Sequence, residues 1–122
     1  DISAIIQRFY DIGIYPDWWK LAPLKTEKSW AVVCETIEGN DPHTRGIVML
    51  GLEASIAQLQ SSFATAAGFD LVKGFAVGRA IFADAAQGWL AGTITDTQAV
   101  EQMSAKFQDL CDTWDVTRAD SS

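Results

Sequence analysis

The sequence predicts an α/β fold of parallel βα units, and three observations predict it. Short apolar runs recur about 27 to 29 residues apart, close to the length of one βαβ unit. The stretches between them carry apolar residues at steps of three and four, the period of a helix. Glycine, proline or a capping residue separates each stretch from the next. A length of 122 residues allows one domain or a fragment of one.

Each element can be justified in turn. Asp1 to Ile14 sets Ile5, Ile6, Phe9 and Ile12 on one helical face, and Gly13 and Pro16 stop it. Asp17-Trp18-Trp19-Lys20-Leu21 is short, aromatic and closed by Pro23, which reads as a strand. Thr26 to Ile37 is helical, with Trp30, Val33, Cys34 and Ile37 inward, and Glu38 to Pro42 ends it with turn chemistry. Gly46-Ile47-Val48-Met49-Leu50 is continuously apolar up to Gly51, the look of a strand covered on both faces. Ser55 to Ala67 turns Ile56, Leu59, Phe63 and Ala66 to one side and stops at Gly68.

Leu71 to Gly78 is the third strand. Arg79 to Leu90 is the next helix, with Ile81, Ala85 and Trp89 inward and Gly92 as its end. Thr95 with Gln98 makes a capping-box start for a last helix bearing Val100, Met103, Phe107, Leu110 and Trp114. Arg118 to Ser122 reads as a frayed tail. Connections between parallel strands are right-handed. A three-stranded sheet whose edge strands look buried calls for neighbours, either strands outside this sequence or another chain.

Composition narrows the function. A 48% hydrophobic content is too high for disorder, and no apolar run approaches the roughly 20 residues that cross a bilayer. A net charge of -7 argues against nucleic acid, so any phosphate would be met by a few placed residues. Cys34 and Cys111 read as two reduced, semi-buried thiols, with no zinc spacing around them. The chain shows no signal-peptide pattern, which favours the cytoplasm, and its start at Asp1 rather than Met fits a piece of something longer. The five tryptophans lack basic interleaving and read as core and interface mass.

Lys20 is the most suggestive residue for chemistry. It stands near the end of an aromatic strand, on the same face as Trp18 and opposite Trp19 and Leu21. An amine desolvated by tryptophan can be neutral and attack a carbonyl to form a Schiff base. Equally, a lysine can snorkel past aromatic rings to water. Gly74 to Arg79 is the second signal, a strand ending in Gly78 with Arg79 in the first helical turn. Backbone amides and a guanidinium there would hold a phosphate. The competing reading is a tight turn with Arg79 solvated or paired with Asp84.

Gly51 and Glu53 follow the second strand. Glu53 could bind a substrate hydroxyl or transfer a proton, or simply favour the helix dipole. Asp41 to Gly46 falls at the opposite, N-terminal end of the sheet, where Arg45 would pair with Asp41 or another carboxylate. His43, the only histidine, has no nearby ligand partner.

Three strings then stand out together: Tyr15-Pro16-Asp17-Trp18-Trp19-Lys20-Leu21, Arg45-Gly46-Ile47-Val48-Met49-Leu50-Gly51-Leu52, and Val72 to Phe82. The chain resembles, over nearly its whole length, the C-terminal domain fused to 5-dehydro-2-deoxygluconokinase in bacterial myo-inositol catabolism. That domain is the 5-dehydro-2-deoxyphosphogluconate aldolase. The resemblance implies a TIM barrel like that of the class I tagatose-bisphosphate aldolases, of which this chain would be the C-terminal part, strands six to eight. Lys20 would then match the Schiff-base lysine, and Gly78 with Arg79 the phosphate turn.

The implied reaction cleaves a phosphorylated keto-sugar acid to dihydroxyacetone phosphate and malonate semialdehyde, with no metal or other cofactor. Implied partners are the rest of the barrel and the kinase, with no nucleic acid and no membrane. After the lysine the family pattern is Leu-Glu-Pro, whereas this chain has Leu21-Ala22-Pro23. Two other readings stand beside the aldolase. One is a non-catalytic phosphosugar-binding or assembly module of a carbohydrate kinase, and the other a free-standing α/β chain that dimerises through its open edge.

Overall fold

The computed structural model describes residues 1–51 and 54–121. Helix starts follow local capping chemistry. Helix α1 (Ile2–Asp11) begins at Asp1, whose carboxylate accepts from the Ser3 amide at 3.1 Å. Helix α2 (Glu27–Asn40) follows strand β1 (Trp18–Leu21), and the Thr26 hydroxyl accepts from the Ser29 amide at 3.1 Å. Strand β2 (Gly46–Leu50) leads to α3 (Ile56–Ala66), opened by a Ser55–Gln58 capping box. Strand β3 (Val72–Ala76) leads to α4 (Arg79–Leu90), and α5 (Asp96–Asp120) opens on the Thr95–Gln98 capping box. Such caps are worth about 1 kcal/mol each.

The three strands are parallel and ordered β1-β2-β3, with Lys20 beside Val48 and Leu50 beside Ala76. Gly46 opens β2 at φ +135°, where a Cβ would lie 2.7 Å from the Leu71 carbonyl oxygen. That carbonyl accepts from the Ile47 amide at 2.8 Å, so the absent side chain is what lets β2 meet β3 here.

This sheet corrects the expectation of a TIM-barrel segment. Among the described residues it has three strands and does not close, and with five helices it makes a small α/β unit. The barrel was implied by the resemblance, and strand spacing cannot tell it from an open sheet. A repeat of about 27 to 29 residues belongs to any parallel βα fold, so it predicts crossover helices but says nothing of strand number or closure.

One face of the sheet carries the core. Trp19, Leu21, Ile47, Met49 and Val72 pack with Ile6 and Tyr10 of α1, Trp30 and Ile37 of α2, Leu59 and Phe63 of α3, and Leu110 and Trp114 of α5. Strands in sequence order with right-handed crossovers put successive helices on one side. The opposite face shows Trp18 and Lys20 exposed and Val48 and Leu50 half-buried, which corrects the reading of β2 as covered on both faces. Each core side chain contributes roughly 1.5–3 kcal/mol by leaving water.

Three further expectations change. On α1 the buried side chains are Ser3, Ile6 and Tyr10, whereas Ile5, Phe9 and Ile12 face outward. The Tyr10 hydroxyl accepts from Trp19 Nε1 at 2.9 Å inside the core, so a polar-tipped residue wins the inward position. On α4, Ala85 is buried but Trp89 is 50% exposed, its indole donating to Asp96 at 2.6 Å; on α5, Val100 and Phe107 are exposed. Finally, Arg118 is no frayed tail. Its guanidinium donates to the carbonyls of Ala67 (2.8 Å), Phe69 (3.0 Å) and Asp70 (3.3 Å) and lies 5.4 Å from the Trp114 ring centre. Arg118→Ala is expected to lower stability by about 1–3 kcal/mol in urea unfolding, since it leaves those carbonyls without their cationic donor.

Both cysteines are free, Cys34 buried and Cys111 half-buried. Burial pushes the Cys34 thiol up to about 11, with Glu38 and Glu35 acting in the same direction. A raised folded value keeps the proton on, so stability from this group is complete below pH 9, the ordinary value, and is lost as pH rises to about 11. Cys34→Ala is therefore expected to flatten the alkaline fall of the urea midpoint across that window.

Candidate functional site

Parallel strands bring their C-terminal ends to one edge, the usual place for a ligand in such sheets. A cavity of about 520 Å³ opens there. β1 contributes Lys20, the end of β2 contributes Leu50 and Gly51, and the β3–α4 turn contributes Ala76 to Arg79, with Phe82 one turn further on. Lys20, Gly51, Gly78 and Arg79, separated by as much as half the sequence, thus line one space.

Local sequence explains the walls. Strand alternation points Trp19 and Leu21 into the core and leaves Lys20 on the open face. A Cβ on Gly51 would fall 2.6 Å from Val77 Cγ1, so any side chain there would have to displace Val77 at the β3–α4 turn. Gly78 caps α4 without a side chain, unlike the caps of α1, α2, α3 and α5. The positive end of the α4 dipole and the Arg79 guanidinium therefore share one border of the cavity, a combination suited to an anion.

The enclosure expected for Lys20 is absent. Its side chain is exposed, Trp18 beside it is 46% exposed, and the Trp19 indole is buried on the other face against Tyr10. As strand alternation implies, Trp18 shares the face of Lys20 and Trp19 does not.

The model of a protein family described as uncharacterized protein conserved in bacteria (DUF2090) matches residues 1–118. The chain belongs to that family. The match runs from α1 into the last turns of α5, so every cavity residue of this DUF2090 chain lies within it. No curated protein and no solved structure matches the chain. Among the described residues, no helix of this family member is long and apolar enough to cross a membrane.

The remaining candidates of the DUF2090 chain fall elsewhere. Glu53 lies outside the described residues. Asp41 is buried and accepts from the His43 amide at 2.9 Å, so it is engaged in its own turn. Arg45 lies at the N-terminal end of β2, where its amide donates to the Asp17 carbonyl at 2.8 Å. His43 is exposed and does not line the cavity. Asp84 pairs with Lys106 of α5 at 2.9 Å, and that hydrogen bond, with the lysine's charge, holds its carboxyl below the usual range.

Sequence reasoning missed Leu50, Ala76, Val77 and Phe82 as cavity walls. The sequence carries no signal for them, because only the register sets Leu50 two residues beyond Val48, the partner of Lys20, and beside Ala76 across the sheet.

Proposed function

We infer that this chain carries a carbon–carbon lyase site that cleaves 5-dehydro-2-deoxygluconate 6-phosphate through a Schiff base on Lys20. The observation supporting the reading is the shared cavity: a primary amine on β1 faces the Gly78–Arg79 helix start across one space. A phosphate held at Arg79 would orient a keto-sugar acid with its ketone toward Lys20.

The neutral amine adds to the ketone carbon and water leaves, giving an iminium. A base takes the proton of the hydroxyl one carbon beyond the neighbouring carbon. The intervening carbon–carbon bond then breaks, and its electron pair moves into the iminium. Malonate semialdehyde departs, and protonation and hydrolysis of the enamine release dihydroxyacetone phosphate and the free lysine. Phosphosugars of this kind are cytoplasmic metabolites, and the reading places the chain in that compartment, beside a sugar-kinase domain that would supply its substrate.

A second reading has observations of its own. Ala22 stands where the aldolase pattern has a carboxylate, and Lys20 is exposed rather than enclosed. Both favour a non-catalytic phosphosugar-binding module of a carbohydrate kinase.

Intact-mass measurement after incubation with dihydroxyacetone phosphate and borohydride separates the two. The lyase reading expects a reduced adduct mapped to the peptide bearing Lys20. Phosphate binding without any adduct would overturn it in favour of the binding module. Arg79→Ala is expected to weaken inorganic phosphate binding roughly 10- to 100-fold, the share of a charge-assisted contact of about 1.5–3 kcal/mol.

A further inference from the structure

We propose that α1 is a self-association surface, on which a second copy of this chain docks helix against helix across a two-fold axis. The helix has two apolar faces. Ser3, Ile6 and Tyr10 face the core. Ile2, Ile5 and Ile12 face outward, with Ile5 53% and Ile12 55% exposed, and Phe9 joins them while one edge of its ring meets Trp19 at 5.9 Å between ring centres. Their positions advance by three, four and three residues, the a/d rhythm of a two-helix seam. A groove of about 530 Å³ runs along this face, lined by Asp1, Ala4, Ile5, Arg8, Phe9 and Ile12.

Charge selects the occupant. Asp1 and Arg8 stand one heptad apart, about 10 Å along the helix axis, and flank the seam with opposite signs. An antiparallel copy of α1 sets its Arg8 beside Asp1 and its Asp1 beside Arg8, while Ile5 meets Ile5 and Ile2 meets Phe9. A parallel copy would put the two Asp1–Arg8 flanks on opposite sides of the seam, where they could not pair. Two-fold contacts of one patch with itself are the commonest way that soluble chains associate.

Part of the net charge of -7 lies away from this contact, although α1 also carries Asp11, which accepts from the Gln7 side-chain amide at 2.8 Å. Asp109, Asp112, Asp115 and Asp120 lie on α5, which packs on α3 and α4, whereas α1 packs on α2. The contact also lies away from the Lys20 cavity, so it stands or falls independently of the lyase reading.

Sedimentation velocity over a concentration series tests it, with far-ultraviolet circular dichroism as the check on folding. The wild-type chain is expected to shift toward twice its own mass as concentration rises. Ile5→Arg, at an exposed position, is expected to stay at one chain mass with helicity unchanged. Arg8→Glu, which sets carboxylates against each other, is expected to weaken association roughly tenfold. A wild-type chain that stays monomeric throughout would overturn the proposal, and so would an association that neither substitution moves.

Discussion

On the proposed lyase reading, Lys20→Arg is expected to abolish the borohydride-stabilised adduct and lower retro-aldol turnover at least roughly 10³-fold, about 4 kcal/mol of barrier, while inorganic phosphate still binds. The logic rests on chemistry that separates charge from nucleophile. Arginine keeps a cation on the open face of β1, next to Trp18 and across the cavity from Arg79. Its guanidinium stays protonated, so it cannot add to a ketone and lose water. A coupled assay for dihydroxyacetone phosphate release, run beside phosphate titration, reads both effects on one preparation. Should Lys20→Arg retain wild-type turnover, the amine has no covalent role. Because the side chain is exposed, the substitution is not expected to change stability by more than about 0.5 kcal/mol.

Phe63→Ala is expected to have the largest effect on folding, about 3–5 kcal/mol. Phe63 is fully buried on α3, stacked on Phe75 of β3 at 5.2 Å and edge-on to Trp114 of α5 at 5.3 Å between ring centres. It therefore joins the third strand to the last helix through one ring. Truncation removes its transfer energy and leaves a cavity that the surrounding rings cannot fill by small shifts. Against a total stability of roughly 5–15 kcal/mol for a domain, that loss would move the urea midpoint by a large fraction of its value. Phe63→Leu retains most of the volume and is expected to cost about 1.5 kcal/mol or less. Similar midpoints for the two variants would show that α5 docks without this ring.

Much of the candidate site was legible before any fold was known. Lys20 stood out because a lysine inside an aromatic strand is unusual, and Gly78 with Arg79 because a strand ending in glycine before a helical arginine is an anion-binding pattern. Gly51 was marked by its place after an apolar strand. The walls were less legible, since Leu50 and Ala76 are ordinary strand residues until the register sets them beside each other. The opposite faces of Trp18 and Trp19 were legible from strand alternation, whereas the exposure of Trp18 and Lys20 was not, because it depends on what covers that face of the sheet.

By itself the sequence determined the order of helices and strands, the parallel direction of the sheet, the helix starts at Thr26 and Ser55 and the capping box at Thr95. These depend on periodicity and on bonds between residues three or four apart, so near neighbours suffice to specify them. Tertiary structure alone decided that the sheet does not close among the described residues, that its Lys20 face is open, which side of α1 turns inward, and that Arg118 clasps the α3–β3 turn. Each of those outcomes is a competition among contacts far apart in the chain. An amphipathic pattern identifies the residues that gain by burial, whereas packing decides which of them are buried.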